Sequence, residues 1–184
     1  MIDFRKTIEN RQRQDSVIVN DNEHKIHTEF CFLVSFAKKI EEWNRTGDAP
    51  SYDEFDYLYA SPVPDDRVTG YGELIKFYRN EQKLPSNAGK ERNIRGVDWV
   101  IDSEYIYAAF MQQYGIDLIK TDLHWHSFLA LFNGLTNTKM NEIIAARFYD
   151  KSDKRKFEEV QKENREMWAL EELEEFERPV FEMV

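Results

Sequence analysis

At 184 residues and a formal net charge of −10, the chain has room for one substantial domain, and its acidity disfavours nucleic acid as a partner. With 41% hydrophobic and 14% aromatic residues but only seven glycines and five prolines, it can fill a core and favours helices over a turn-rich sandwich. No apolar run approaches the ~20 residues of a membrane span, the polar start is not expected to be a signal peptide, and a lone Cys31 fits a reducing cytoplasm.

Residues 1–15 show no periodicity. Ser16 to Val19 and His24 to Thr28 are β-prone runs around Asn20-Asp21-Asn22-Glu23, which predicts a hairpin. Two strands alone are marginal, so the hairpin must lie on something apolar or pair with a partner. Thr28 is the expected N-cap of a helix whose Leu33, Phe36, Ala37, Ile40 and Trp43 share one face, ended by Gly47 and Pro50. Ser51 and Glu54 have capping-box spacing for a short helix that Pro62 and Pro64 break. A further helix is expected over Gly72 to Gln82, with Leu74, Phe77 and Tyr78 on one side. The polar residues 83–97 read as a linker, which divides the chain into 1–82, a hairpin with a helical subdomain, and 98–184, a second helical subdomain.

Beyond the linker the periodicity is stronger. Ile106, Phe110 and Tyr114 step by four beside Ala109, and Gly115 is a natural terminator. Asp122 is placed to cap a helix bearing Trp125, Phe128, Leu129 and Phe132, closed by Asn133-Gly134. Met140, Ile143, Ile144 and Arg147 form one face of the next helix. A charged helix is expected over 153–178, and Phe157–Val184 holds ten Glu against Lys162, Arg165 and Arg178. The fold class is thus mainly α, with a small N-terminal β-hairpin.

Chemistry is harder to find. His124 and His126 invite a metal reading, but in a helix an i, i+2 pair points about 200° apart, and no Cys or further His completes a tetrahedral set. They are read as structural. His24 and His27 are expected to be exposed, and Cys31 to be small, buried or half-buried and unactivated. Asp53-Glu54-Asp56 and Asp65-Asp66 do not match a calcium loop and read as caps and turns. Neither a phosphate loop nor a nucleophile elbow is present. No catalytic, cofactor-binding or metal residue is assigned. Met167, Trp168 and Phe181, on or after the acidic last helix, are the expected partner-binding residues, set against a competing reading in which that helix covers the chain's own core.

The run Tyr105-Ile106-Tyr107-Ala108-Ala109-Phe110, then Tyr114-Gly115-Ile116-Asp117-Leu118, then Leu123-His124-Trp125, Phe128, Ala130-Leu131-Phe132 and Gly134-Leu135 resembles the bacteriophage gene-product-fifteen proteins. Thr28-Glu29-Phe30 after the hairpin, the Pro62–Asp66 break and the following helix are similar to that family as well. The resemblance is close over 104–147 and looser over 16–82. It departs at His126, where the family commonly has a second Trp, and over 83–97.

What the resemblance implies is a tail-module protein of long-tailed phages and prophages of Gram-positive bacteria, acting in the host cytoplasm. The expected role is a non-enzymatic chaperone binding the tape-measure protein, tail-tube subunits or another assembly chaperone, without nucleic acid, membrane or cofactor. Self-association is left open. A minor structural component of the tail is the first alternative. A metal-dependent enzyme and an acidic inhibitor of host nucleic-acid enzymes are weaker ones.

Overall fold

The computed structural model describes residues 14–47, 51–80, 96–148 and 158–170. The hairpin forms from β1 (Ser16–Val19) and β2 (Asn22–Lys25), antiparallel, with Val19 opposite Asn22 and Ser16 opposite Lys25. Its turn is two residues, not the four expected. Asn20 and Asp21 both take positive φ, 47° and 63°, the backbone that a tight hairpin demands and that Asn and Asp tolerate best after glycine. Val17 and Val19 point inward and are buried, and Ile18 faces out. The hairpin rests on a helix and is extended by bridges to the segment 58–61: His27 N–H donates to the Leu58 carbonyl and Ala60 N–H to that of Lys25, at 2.8 and 2.9 Å.

Helix α1 spans Phe30–Thr46. Its N-cap is Glu29, not Thr28, because the chain at 28–30 is still paired in an extended bridge with 123–125. Phe30 N–H donates to the Leu123 carbonyl and Trp125 N–H to that of Thr28, so two helix starts are stitched side by side. Gly47 closes α1 at φ 72°, as expected. Leu33, Phe36 and Ala37 are fully buried, and Ile40 and Trp43 pack at the margin.

The turn Tyr52–Leu58 is 3-10, and the expected capping box is not formed: the Ser51 hydroxyl donates to Asp53, while Glu54 reaches across to Lys39 at 2.7 Å. Helix α2 spans Arg67–Tyr78, starting five residues before the expected Gly72. Asp66 sets that start by accepting from the Thr69 N–H at 3.0 Å and its hydroxyl at 2.7 Å. Gly70 and Gly72 both lie inside the helix, whereas its start was expected at Gly72.

Helix α3 (Ser103–Tyr114) ends on Gly115 at φ 66°, as its spacing predicts. Helix α4 spans Trp125–Asn133 and α5 Lys139–Arg147. The cap of α4 is His124, not Asp122; its ring accepts from the His126 N–H. Thr138 and Asn141 make the reciprocal capping box that starts α5. Helix α6 (Glu158–Trp168) lies against α5, and residues 169–170 are no longer helical, short of the expected end at 178.

The core is aromatic. Phe128 is its centre, stacked on Phe30, Phe110 and Trp125 with ring centroids 4.9, 5.2 and 5.7 Å away. Trp125 also stacks on Tyr78, and its indole N–H donates to the Tyr78 carbonyl at 2.8 Å. Elements from both sides of residues 83–97 therefore share one buried cluster, from Val17 to Ile143. Most of that linker lies outside the described residues.

Candidate functional site

Helix α5 repeats apolar residues at Met140, Ile143 and Ile144, and the next inward position is an arginine. Arg147 is carried into the interior by the periodicity of its own helix. A buried guanidinium is tolerable only when every donor is used and its charge is met. Asp102, just before α3, meets it: Nη1 and Nη2 of Arg147 donate to the two carboxylate oxygens at 2.6 and 2.8 Å, with side-chain exposures of 3% and 1%. Nη1 also donates to the Gly96 carbonyl at 3.0 Å, and Nε to the Trp168 carbonyl at 2.7 Å. Asp102 in turn accepts from the Asp98 N–H at 2.8 Å. Asp98 folds the loop locally, accepting from the N–H groups of Val100 and Ile101.

One ion pair thus ties three stretches of chain together: the loop 96–102, the end of α5 and the end of α6. These same stretches carry exposed apolar side chains. Val100 is 47% exposed, Ile101 65%, Phe148 46% and Met167 70%. Phe148 lies on Gly96, where a β-carbon would come within 2.5 Å of its ring. These four exposed side chains, the apolar rim, thus lie on the stretches that the buried pair joins.

Of the expected partner-binding residues, Met167 stands on this rim. Trp168 is committed to the chain's own body: its ring meets Tyr105 edge-on at 5.3 Å, and the Lys139 ammonium lies 5.5 Å from the ring centre. Phe181 lies outside the described residues. Sequence reading missed Asp102, Arg147, Val100, Ile101 and Phe148 as a group. The available signal was an arginine on an otherwise apolar helical face, which calls for a buried acid.

His124 and His126 do not diverge as expected. His124 precedes the helix, at φ −57° and ψ 138°, so the two rings come together, with centroids 5.1 Å apart. The His124 Nδ1 accepts from the His126 N–H at 3.1 Å, which leaves its Nε2 to donate to the Gln14 carbonyl at 2.9 Å. Burial holds its pKa below the ordinary value, and the neighbouring His126 lowers it further, against the pull of the Gln14 bond. His126 Nε2 donates to the Phe77 carbonyl at 2.9 Å.

His24 bonds the Pro62 carbonyl, and His27 stacks on Phe32 at 4.4 Å. Cys31 is exposed, not buried or half-buried; partial desolvation and the carboxylates of Glu29 and Asp122 still push its thiol upward, away from reactivity. The acidic runs serve as caps and ion pairs, Asp56 taking both the Nε and Nη2 of Arg67. Among the described residues, no group of three or more His, Cys, Asp or Glu is disposed to hold a metal ion.

A recess lined by Tyr52, Phe55, Asp56, Tyr59, Arg67, Tyr71 and Leu74 has about 170 Å³ of empty space, part of it open solvent. Small-ligand sites occupy about 300–1,000 Å³. Desolvation pushes Tyr59 and Tyr71 up to about 12, so both stay protonated at neutral pH. No helix among the described residues is long and apolar enough to cross a membrane.

The architecture is therefore a mainly helical body with one buried ion pair and several exposed apolar side chains. Residues 13–173 match the family model described as bacteriophage Gp15 protein, and the chain belongs to that family. No curated protein and no solved structure matches it.

Proposed function

We propose that this phage protein acts in tail assembly as a non-enzymatic chaperone in the host cytoplasm, holding an apolar stretch of the tape-measure protein, the tail tube or a companion assembly protein. The observation that carries the reading is the exposure of Val100, Ile101, Phe148 and Met167 on the stretches joined by the Asp102–Arg147 pair. Exposed apolar side chains, where they join into one patch, mark a surface that meets another polypeptide. A net charge of −10 suits such a holder, since mutual repulsion limits self-association while the client is retained.

The interior polar groups have internal duties that suit a scaffold: Arg147 holds two main-chain carbonyls, His124 caps a helix, and His126 fixes the Phe77 carbonyl. No chemical step enters the proposal. Co-expression with tagged fragments of the tape-measure, tail-tube and neighbouring assembly proteins tests it. The expected outcome is a stable complex with at least one, reduced by Ile101→Glu. Failure to associate with any of them would remove the reading. The alternative, a minor component of the finished tail, predicts this chain in purified virions by mass spectrometry; a chaperone is expected to be absent from them.

A further inference from the structure

In an antiparallel pair the main-chain groups of successive residues turn alternately toward and away from the neighbouring strand. A two-residue turn makes Val19 and Asn22 a bonded pair, and the Ile26 N–H donating to the Asp15 carbonyl at 2.8 Å has the same phase. Asp15, Val17 and Val19 therefore bond toward β2, while the N–H and C=O groups of Ser16 and Ile18 point away from it. The far side of β2 is covered: the N–H groups of Ala60 and Ser61 donate to the Lys25 carbonyl. The far side of β1 is not. Among the described residues, the Ser16 N–H and both main-chain groups of Ile18 have no partner, and the Ser16 carbonyl meets only the Gln14 side-chain amide, at 3.5 Å. Buried main-chain groups rarely go unpaired, and Ile18 is 54% exposed, so this edge lies in water. Ser-Val-Ile-Val carries no charge, proline or bulge, devices that stop an edge strand from pairing.

We propose that the free edge of β1 takes up an extended segment of a partner polypeptide as a third strand, with an apolar residue beside Ile18 and a Lys or Arg near the hairpin tip. Charge selects this occupant. Asp66 is tied to the tip by the Asn20 side-chain amide at 3.2 Å, Asp21 lies in the turn, and Glu23 stands across from Ile18. Among the described residues the hairpin's ion pair is Lys25 with Asp15, at 3.6 Å, and Asp21, Glu23 and Asp66 have none. A second copy set antiparallel, Ile18 against Ile18, would bring the acidic tip of one chain toward Asp15 of the other, so charge disfavours it. In strand addition the main-chain bonds give affinity and alternate side chains give selectivity. A third strand also strengthens a sheet that is marginal with two. The proposal uses none of the residues that carry the tail-assembly reading, and the two stand independently.

The probe is a soluble peptide alternating Thr and Ile with a Lys at each end, added to the full chain. The same peptide with Glu in place of Lys is its counterpart. Amide hydrogen exchange followed by NMR reads the edge directly. The Lys peptide is expected to slow exchange at Ser16 and Ile18 at least ten-fold, and to bind at least ten-fold more tightly than the Glu peptide. Ile18→Pro removes the outward N–H without touching a bond to β2, a position where an edge strand tolerates proline. It is expected to abolish binding while melting with wild type. Where the proline variant does not fold, Ile18→Lys, at a side chain already in water, is expected to do the same by repelling the basic segment. Equal binding of the two peptides, unchanged exchange at Ser16 and Ile18 up to the solubility limit of the Lys peptide, or full binding by the substituted chain overturns the proposal. So does slow exchange at both amides in the free chain, since another part of this chain would then cover the edge. A wild-type dimer that Ile18→Pro converts to monomer overturns it as well, because a second copy would then be the occupant.

Discussion

Tyr59 carries a hydroxyl that is buried with no hydrogen-bond partner among the described residues. Beneath it lies Gly70, where an added β-carbon would stand 2.6 Å from that oxygen and 2.9 Å from Pro64 Cγ. The two residues constrain each other. Removing an unsatisfied buried hydroxyl relieves a desolvation cost of about 1–3 kcal/mol, so Tyr59→Phe is expected to raise stability in urea denaturation. Gly70→Ala alone gains helix propensity but forces overpacking that costs about 1–3 kcal/mol. In the Tyr59→Phe background that cost is expected to shrink, and the double-mutant cycle is the measurement. Additive effects would show that the contact does not constrain the helix.

His124 makes a second residue-scale case. Its Nδ1 must be unprotonated to cap α4, while Nε2–H holds Gln14. Its folded-state pKa lies below the ordinary value of about 6.5. Between the two values the unfolded chain binds a proton that the folded chain refuses. Its contribution to stability is therefore full above about pH 7 and is lost as pH falls through the folded value. Asn caps helices well without titrating. Thermal melts at pH 7.5 and pH 5.5 are expected to show a smaller acid loss for His124→Asn than for wild type. An unchanged loss would assign the acid sensitivity to other groups.

At the scale of elements, the sequence told most where apolar spacing was strict. The faces of α1, α3 and α4 and the glycine stops at 47 and 115 were legible because helix period and left-handed C-caps leave local marks. Helix starts were not. Glu29 and His124 begin their helices because 28–30 pairs with 123–125, a contact between stretches nearly a hundred residues apart. No local pattern contains it. The start of α2 was misplaced because glycine normally marks an edge, whereas Gly70 is required there by Tyr59. Gly72 has no such neighbour, with nothing within 4 Å of its added β-carbon. Gly72→Ala is accordingly expected to stabilise α2 by about 0.5–1 kcal/mol, read as a raised urea midpoint with unchanged slope. The clamp was half visible: Arg147 stood on the predicted inner face, but nothing local pointed to Asp102. Arg147→Met leaves the buried Asp102 without its counter-charge, a loss of about 3–5 kcal/mol, and a matching Asp102→Leu is expected to recover part of it.

For the whole molecule, the question is whether the apolar rim is a client surface or only the place where three segments happen to end. The two possibilities separate because rim residues are exposed. A charge placed on a side chain already in water costs the fold little, usually within ±0.5 kcal/mol. The same charge inside a client interface removes one anchor, worth about 1.5–3 kcal/mol when fully buried, and every 1.4 kcal/mol is ten-fold in affinity. Ile101→Glu and Met167→Glu are therefore expected to melt with wild type yet lose at least ten-fold in association with tape-measure or tail-tube fragments. Ile119, 82% exposed in the loop between α3 and α4, supplies the control. Its glutamate variant adds the same charge off the rim, and is expected to change neither stability nor binding. If all three variants weaken association alike, the loss is a general effect of added acidity on an already acidic surface. The rim would then have no special claim to the client.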